Sequence, residues 1–420
     1  MKNTYSCVIA VLVLAALGPA ALASSELRVE GKRFVDRENR TVILRGVNVS
    51  GTAKVSPFVT LPGGRTEMLD PLPKWGLNVI RLLFIWEAYE PEAGHYNEAY
   101  LEQVAAVAEA AWARGLYVVI DLHQDSFSRF VGGGCGTGFP AWVSGHRAEN
   151  FPLKDCGTLW ALKSAVSASM HKAYTAFYTN RFGGRTGFIE LWRRLAHRFR
   201  EIPGVVGYDL INEPWGDEKK ELSPLYEDVA RAIRSEDPTA ILFLEPVLLT
   251  VTGLQRESWL ERPHFDNYAY SPHYYDAVAA ATQHYFKENP FTDLVFDRMS
   301  RKPREWGVPM FLGEFGAYAK TGNVRAYVDH QYEKLDAILG SGAQWNYSPG
   351  WTRRGSKTAG TTRTTASSTT RAGCAPTSSR APTRAKQRAL PALSRSRATS
   401  AAARFRSVTT GSTTRPPDAA

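Results

Sequence analysis

Residues 205–215 read VVGYDLINEPW, and this stretch decides the fold. Its first part is apolar and β-branched, a composition typical of a strand buried on both faces of a parallel sheet. Polar side chains begin at Asn212 and Glu213, where the apolar run ends. Because α/β sheets place ligands at the carboxyl ends of their strands, we expect both residues to be functional.

Seven further runs of this kind lie on either side of it. In chain order they are VILRGVN (42–48), LNVIRLLF (77–84), LYVVIDL (116–122), ILFLEP (241–246), NYAYSPH (267–273), VPMFLGEF (308–315) and AQWNYS (343–348). Helix-period segments such as 101–114, 188–200 and 223–234 separate them. Eight strands alternating with helices over about 310 residues favour an α/β fold, a (β/α)8 TIM barrel, over an open doubly wound sheet.

The amino-terminal end differs from this central part. Residues 1–23 combine Lys2, an apolar run and small residues before Ser24, which predicts a cleaved secretory signal peptide. We therefore expect a secreted protein. Residues 27–35, with a turn at Gly31-Lys32, are expected to form a short N-terminal hairpin that closes the bottom of the barrel.

The carboxyl-terminal end changes character after Pro349. Residues 350–420 are dominated by Thr, Ser, Ala, Arg and Pro and show no sustained apolar period, which predicts a disordered, basic low-complexity tail. A frameshifted reading of a GC-rich gene would produce this composition, and a genuine basic tail is the alternative. We assign the catalytic barrel to residues 24–349.

The basic character of the chain belongs to this tail. The formal net charge is +10, but residues 351–420 hold 14 Lys and Arg against the single acidic residue Asp418. Residues 1–350 therefore hold 37 basic and 40 acidic groups, a net charge of −3. A mildly acidic barrel argues against nucleic acid as a partner.

Four cysteines are present, and two of them, Cys7 and Cys374, lie in the two ends. Cys135 and Cys156 remain as the pair that could close a loop. In a secreted protein we expect this pair to form a disulfide, and two unpaired thiols are the alternative.

Two carboxylates end predicted strands, Glu213 in LINEP and Glu314 in LGEFG. Each Glu alone is more simply explained as a structural ion-pair partner. Together they end the fourth and seventh strands and can face each other across the barrel mouth. Glycosidic cleavage needs one protonated carboxyl to release the leaving oxygen and one ionised carboxylate to attack the anomeric carbon, and a gap of roughly 5–5.5 Å retains configuration.

Further strand-end residues occur in a fixed order with this pair. They are Arg81 in NVIRLLF, His123 in DLHQD, Asn212-Glu213 in LINEP, His273 and Tyr275 in PHYYD, Glu314 in LGEFG and Trp345 in WNYSP. This set resembles glycoside hydrolase family 5, whose members are retaining (β/α)8 glycosidases, and it spans residues 42–348. Members of that family continue into a C-terminal β-sandwich, which the tail replaces in this chain.

The resemblance implies a role for each matched residue. Glu213 would be the acid/base and Glu314 the nucleophile. Tyr275 would donate a hydrogen bond to the nucleophile, and Arg81 would keep its carboxylate ionised. The remaining residues would position sugar or catalytic groups, with Trp345 as the floor of the sugar subsite; they are His123, Asn212, His273 and Trp345.

Within that family the chain looks most like endoglycoceramidases, which release an intact oligosaccharide from the ceramide of a glycosphingolipid. The likeness rests on GVNVSGTAK, DLHQDSFSRF, GFPAW and EAYEPEAGHYNEAYL. It implies that Lys54 and Asp125 bind hydroxyls of the sugar next to ceramide; a solvated charge pair is the plainer alternative. Apolar loop residues suggest a trough for lipid, although they could instead pack the loop; they are Phe127, Phe130, Phe139, Trp142, Phe151, Trp215, Leu248, Leu249 and Val251.

The sequence therefore predicts a secreted retaining endo-β-glycosidase that cleaves glycosphingolipids, with transient contact to a membrane or micelle surface. We expect a monomer with no cofactor, and no metal because the chain lacks a His-Glu-x-x-His pair and clustered cysteines. An endo-β-glucanase or mannanase acting on polysaccharide is the first alternative. An inactive glycolipid- or carbohydrate-binding barrel is the second.

Overall fold

The computed structural model describes residues 25–146, 166–251, 255 and 257–349. The predicted signal peptide (1–23), Cys156 and the predicted tail (350–420) lie outside the described residues, and so does Phe151. The assignments made for them stay predictions.

Twelve strands form two sheets within the described ranges. The strands are β1 (Leu27–Glu30), β2 (Arg33–Asp36), β3 (Thr41–Val42), β4 (Arg45–Val49), β5 (Val79–Phe84), β6 (Tyr117–Leu122), β7 (Val205–Asp209), β8 (Ile241–Leu244), β9 (Tyr268–Tyr270), β10 (His273–Tyr274), β11 (Phe311–Phe315) and β12 (Ser341–Tyr347). The large sheet is parallel and has the order β10-β11-β12-β4-β5-β6-β7-β8-β9. Its members coincide with the eight predicted strands, apart from boundaries.

The large sheet closes on itself because β9 and β10 are two parts of one barrel strand. β9 pairs with β8 and β10 pairs with β11, while a parallel bridge joins Tyr270 to Met310. Pro272 lies between the two parts and has no N–H to donate to the ladder. The predicted (β/α)8 TIM barrel is therefore confirmed.

The predicted hairpin is present and closes one end of the barrel. β1 and β2 pair antiparallel around the Gly31-Lys32 turn, and β3 adds a third strand. Gly31 has φ +56°, a conformation that glycine adopts without strain. Leu27 and Phe34 pack with the inward residues at the amino ends of the barrel strands, and the rings of Phe34 and Phe243 lie 6.0 Å apart.

Helices cover the outside of the barrel. They are Pro71–Lys74, Trp86–Tyr89, Glu98–Trp112, Ala168–Tyr178, Gly184–Phe199, Ser223–Glu236, Leu248–Val251, Ala277–Thr282, Phe291–Met299, Arg301–Trp306 and Val324–Ala337, with single 3₁₀ turns at Pro62–Gly64, Thr66–Leu69 and Ala141–Ser144 and a π-helical turn at Glu218–Leu222. Along the described residues no helix has the length and apolar content needed to cross a bilayer. The main core lies between these helices and the outward faces of the strands.

The strand carboxyl ends lie at the other end of the barrel. The hairpin closes one end of the barrel and helices cover its sides. Polar side chains can therefore converge at the end that carries the strand carboxyl ends, which we call the barrel mouth.

Phe34→Ala tests the closure of the barrel bottom. Phe34 is 2% exposed against Phe243, so the cavity should lower the free energy of unfolding by about 3–5 kcal/mol. Phe286→Ala, at a ring that is 45% exposed, is the matched control and should cost much less. Urea unfolding followed by tryptophan fluorescence measures both, and equal losses would contradict the assignment.

Candidate active site

The barrel mouth brings the predicted site residues into one region. Arg81 lies in β5, His123 and Asp125 follow β6, Asn212 and Glu213 follow β7, His273 lies in β10 and Tyr275 follows it, Glu314 lies in β11, Trp345 lies in β12, and Lys54 lies in the loop after β4. In a parallel barrel all carboxyl ends point the same way, so residues far apart in sequence meet there.

Arg81 is fully buried at the centre of this mouth. Its guanidinium donates hydrogen bonds of 2.8–3.1 Å to six residues: Asn48, Asp121, Asp209, Asn212, Glu245 and Glu314. Burial alone would lower the pKa of Arg81, but the carboxylates outweigh it and raise that pKa well above its usual value. The group is therefore a permanent cation that links five barrel strands.

Arg81 alone does not keep the pKa of Glu314 low, although the family resemblance implies that it keeps this carboxylate ionised. Burial raises the pKa of Glu314, and the nearby Glu213 carboxylate raises it further. His273, Arg81 and Lys54 act in the opposite direction without reversing the shift. Because Arg81 is shared among four carboxylates, several cations are needed to stabilise the ionised form of Glu314.

Glu213 is held by its backbone as well as its side chain. Its φ is +42°, a conformation rare for residues with a side chain, so neighbouring contacts must maintain it. Its N–H donates to Glu245 Oε2 at 2.8 Å, and its carbonyl accepts from Gln124 Nε2 at 2.9 Å. Its carboxylate Oε1 lies 3.1 Å from His273 Nδ1.

His273 is a buried imidazole between carboxylates. Nδ1 lies 3.1 Å from Glu213 Oε1 and 3.8 Å from Glu314 Oε2, and Nε2 lies 3.1 Å from Glu245 Oε1. Burial would lower the pKa of His273, but Glu245 and Glu314 outweigh it and raise that pKa well above its usual value. His273 is therefore a second cation, and it contacts both members of the carboxylate pair.

The two carboxylates face each other at short range. One oxygen of Glu213 and one of Glu314 lie within 4.8 Å of each other, with His273 within the same distance. Tyr275 donates its hydroxyl to Glu314 Oε2 at 2.6 Å, and Arg81 donates to Oε1 at 3.1 Å. This separation suits a retaining reaction, because an inverting pair needs roughly 6.5–9.5 Å to hold a water molecule.

His123 and Trp345 form one side of the mouth. His123 Nδ1 lies 2.7 Å from Asp121 Oδ2, while burial lowers the pKa of His123 well below its usual value, so the ring is neutral. Its ring stacks on Trp345 with centroids 5.4 Å apart, and the Lys54 ammonium lies 4.2 Å from the Trp345 centroid. Trp345 is 3% exposed and also packs with Ala53, Leu83 and Tyr275, so its role as the floor of the sugar subsite stays a prediction.

Lys54 and Asp125 form an ion pair of 2.6 Å that is largely buried, not a solvated surface pair. His123 Nε2 lies 3.8 Å from Asp125 and is buried without a hydrogen-bond partner among the described residues. Asn212 accepts from Arg81 and donates one amide hydrogen to the Gln124 carbonyl at 2.9 Å. These polar groups can bind hydroxyls, because each retains donors or acceptors close to the mouth.

The predicted apolar trough is wrong for Phe127, Phe130 and Phe139. Phe127, Phe130 and Phe139 are 0–3% exposed, and the rings of Phe127 and Phe139 stack 4.2 Å apart within the loop core. Trp215 and Leu248 do line a small cleft, and its other lining residues are Gln124, Asp125, Ser126, Met170, Tyr174 and Glu213. These aromatic rings pack inside the loop because burying their apolar surface stabilises the loop more than leaving the rings exposed to water would.

Sequence reasoning missed five buried residues that position the site. They are Asn48, Asp121, Gln124, Asp209 and Glu245. Burial raises the pKa of Asp121 and of Asp209 to about 6, with Arg81 opposing. Each stands near a strand end in the sequence, but only their common contact with Arg81 or with Glu213 distinguishes them from ordinary polar residues.

Two groups at the mouth have the composition of metal ligands. They are Asp209, Glu245 and His273, and Glu213, His273 and Glu314. Arg81 donates at 2.8 Å to both Asp209 and Glu245, so a cation already occupies the centre of the first group. His273 carries positive charge toward the second, which argues for organic cations in the role that a metal would have.

Cys135 is disulfide-bonded. Its predicted partner, Cys156, lies outside the described residues, so the pairing stays a prediction.

Arg81→Met tests the buried charge cluster. The change removes the cation from four carboxylates while retaining most of the side-chain volume, and it should lower the free energy of unfolding by about 3–5 kcal/mol. Arg325→Met removes an exposed pair with Asp329 and should cost less than about 1 kcal/mol. Urea titration compares the variants; an Arg81→Met protein as stable as the parent would contradict a stabilising role for the Arg81 cation.

Three comparisons place this geometry among known proteins. An endoglycoceramidase I of Rhodococcus hoagii is 30% identical over 236 residues, covering 52% of this chain and 46% of its own. An endoglycoceramidase of Cyanea nozakii is 28% identical over 297 residues, covering 59% and 57%. The structure of endo-glycoceramidase II from Rhodococcus sp. in complex with ganglioside GM3 aligns with a TM-score of 0.65 at 26% identity, covering 76% and 77%.

The chain spans about half the length of the curated relatives it matches. The model for cellulase, glycosyl hydrolase family 5, matches residues 35–350, which include the barrel and every residue of the site. The chain therefore belongs to glycosyl hydrolase family 5.

Proposed function

We propose that this protein is a secreted retaining endo-β-glycosidase that hydrolyses the bond between the oligosaccharide and the ceramide of glycosphingolipids. The observation that carries the proposal is the carboxylate pair, Glu213 and Glu314, within 4.8 Å of each other at the barrel mouth. The signal-like residues 1–23 support export.

Glu213 and Glu314 take different roles in the proposed reaction. Glu213 donates its proton to the glycosidic oxygen as the bond from the anomeric carbon to that oxygen breaks. A carboxylate oxygen of Glu314 forms a bond to the anomeric carbon and gives a covalent glycosyl-enzyme. Glu213 then removes a proton from water, whose oxygen displaces Glu314 with net retention. The cation of His273 stabilises whichever carboxylate is ionised.

Lipid as the leaving group is supported by two observations. The relatives named above are endoglycoceramidases, and the aligned structure holds a ganglioside. The cleft beside Glu213 carries Met170, Trp215 and Leu248 on its apolar wall. An apolar wall next to the proton donor suits a lipid aglycone better than a second sugar, which prefers polar groups and flat exposed rings.

Substrate choice between lipid and polysaccharide tests this proposal. We expect ceramide and intact oligosaccharide to be released from a ganglioside in detergent, with much slower release of reducing ends from soluble β-glucan or mannan. Chromatography of both products measures the two rates. Activity on polysaccharide alone would favour the endoglucanase or mannanase alternative, and binding without any product would favour an inactive carbohydrate-binding barrel.

Glu213→Gln separates the acid from the nucleophile. It should lower turnover of the ganglioside on the order of 10²- to 10⁴-fold. It should still allow covalent attack on a dinitrophenyl glycoside, whose leaving group needs no proton. A burst of dinitrophenol read by absorbance measures that step.

Glu314→Gln is the matched control. It should abolish reaction with both substrates, because the attacking carboxylate is lost. Equal loss on both substrates in Glu213→Gln would contradict the acid assignment.

A further inference from the structure

Glu245 is a fully buried carboxylate to which the reaction above gives no role. It directly follows β8, and it is 0% exposed. Oε2 accepts the N–H of Glu213 at 2.8 Å. Oε1 accepts from Arg81 Nη2 at 2.8 Å and lies 3.1 Å from His273 Nε2. Burial raises the pKa of Glu245 well above its usual value, and Asp209 raises it further, while His273 and Arg81 oppose the shift. The ionised form is costly to bury unless each oxygen is paired, and here both oxygens contact groups of the active site.

The first contact fixes the backbone of Glu213. The positive φ of Glu213 is an unfavourable conformation that local contacts must maintain. Glu245 holds the N–H of that residue, and Gln124 holds its carbonyl. With both peptide groups fixed, the side chain of Glu213 points toward His273 and Glu314.

The second contact concerns His273. This ring lies between Glu213, which Nδ1 contacts by a hydrogen bond, and Glu245, which Nε2 contacts at 3.1 Å as an ion pair and not as a hydrogen bond. As a cation it carries a hydrogen on both nitrogens, so Nδ1 can donate to Glu213 while Nε2 faces Glu245. When Glu213 gives up its proton, the charge it acquires lies 3.1 Å from this cation.

We propose that Glu245 is a positioning residue for the proton-transfer step: one of its oxygens fixes the backbone of Glu213 and the other orients His273 toward the Glu213 carboxylate. This inference rests on the proposed glycosidase function. It concerns departure of the aglycone, where a proton is needed, more than attack by Glu314.

Glu245→Gln provides the test. The amide keeps the length of the side chain and can still accept a hydrogen bond, but it removes the negative charge next to His273. We expect kcat/KM for a ganglioside to fall on the order of 10- to 100-fold, and for a dinitrophenyl glycoside to fall less than about 5-fold, because the second leaving group needs no proton.

The pH profile supplies a second readout. The titratable groups that face His273 are Glu213, Glu245 and Glu314 within 3.8 Å and Asp209 within 4.8 Å, and Asp121 and His123 also interact with it electrostatically. Glu245 raises the pKa of His273, so its neutralisation lets the ring lose its proton at lower pH. The high-pH limb of kcat/KM for the ganglioside should therefore move down by about one pH unit.

Asp209→Asn is the matched control. Asp209 is equally buried and also accepts from Arg81 at 2.8 Å, but among the described residues no hydrogen bond to Glu213 and no ion pair with His273 is found for it. If Glu245 acts only through Arg81, both variants should lose activity to the same extent on both substrates. If it acts through Glu213 and His273, only Glu245→Gln should discriminate between the leaving groups, and it should move the high-pH limb further than Asp209→Asn, whose carboxylate is more distant from His273.

Glu245→Asp keeps the inference testable if Glu245→Gln does not fold. The shorter carboxylate keeps the charge but withdraws from the Glu213 N–H, so we expect selective loss on the ganglioside with the high-pH limb close to that of the parent protein. Equal rates for Glu245→Asp and the parent would overturn the inference, as would equal losses in Glu245→Gln and Asp209→Asn. A parent protein that cleaves neither substrate would instead overturn the proposed function.

Discussion

The buried guanidinium of Arg81 is the interaction on which the barrel mouth depends. From β5 it draws four carboxylates and two amides, which lie in or just after β4, β6, β7, β8 and β11, to within 3.1 Å of one group. Without that cation the carboxylates would repel one another in a low-dielectric interior. The strands could pair without Arg81, but their carboxyl ends could not hold so many acids at this spacing.

The cluster around Arg81 contains more carboxyl groups than cations. Two cations, Arg81 and His273, face carboxylates that outnumber them, and burial raises the pKa of Asp121 and of Asp209 to about 6. Such a site holds protons at pH values where exposed carboxyls have lost theirs. A glycosidase of the proposed kind uses this property, since one carboxyl must be neutral while its neighbour is an anion.

The backbone conformation of Glu213 is part of the geometry of the site, as the side-chain contacts are. Glu213 has a positive φ, and the groups that maintain it, Gln124 and Glu245, come from two other strand ends. Strain of this kind persists only where surrounding structure determines it. The site is therefore built on the barrel strands themselves, whereas Phe127 and Phe139 in the loop after β6 pack that loop.

The sequence by itself determined the eight strands, the hairpin and the carboxylate pair, because apolar runs end at polar residues and a barrel aligns those ends. It could not identify Glu245 or Gln124 as partners of Glu213, nor show that Phe127, Phe130 and Phe139 are buried. Those features depend on which side chains meet across strands distant in the chain. Tertiary structure alone decided them, since the charge state and exposure of a group are set by its neighbours in space.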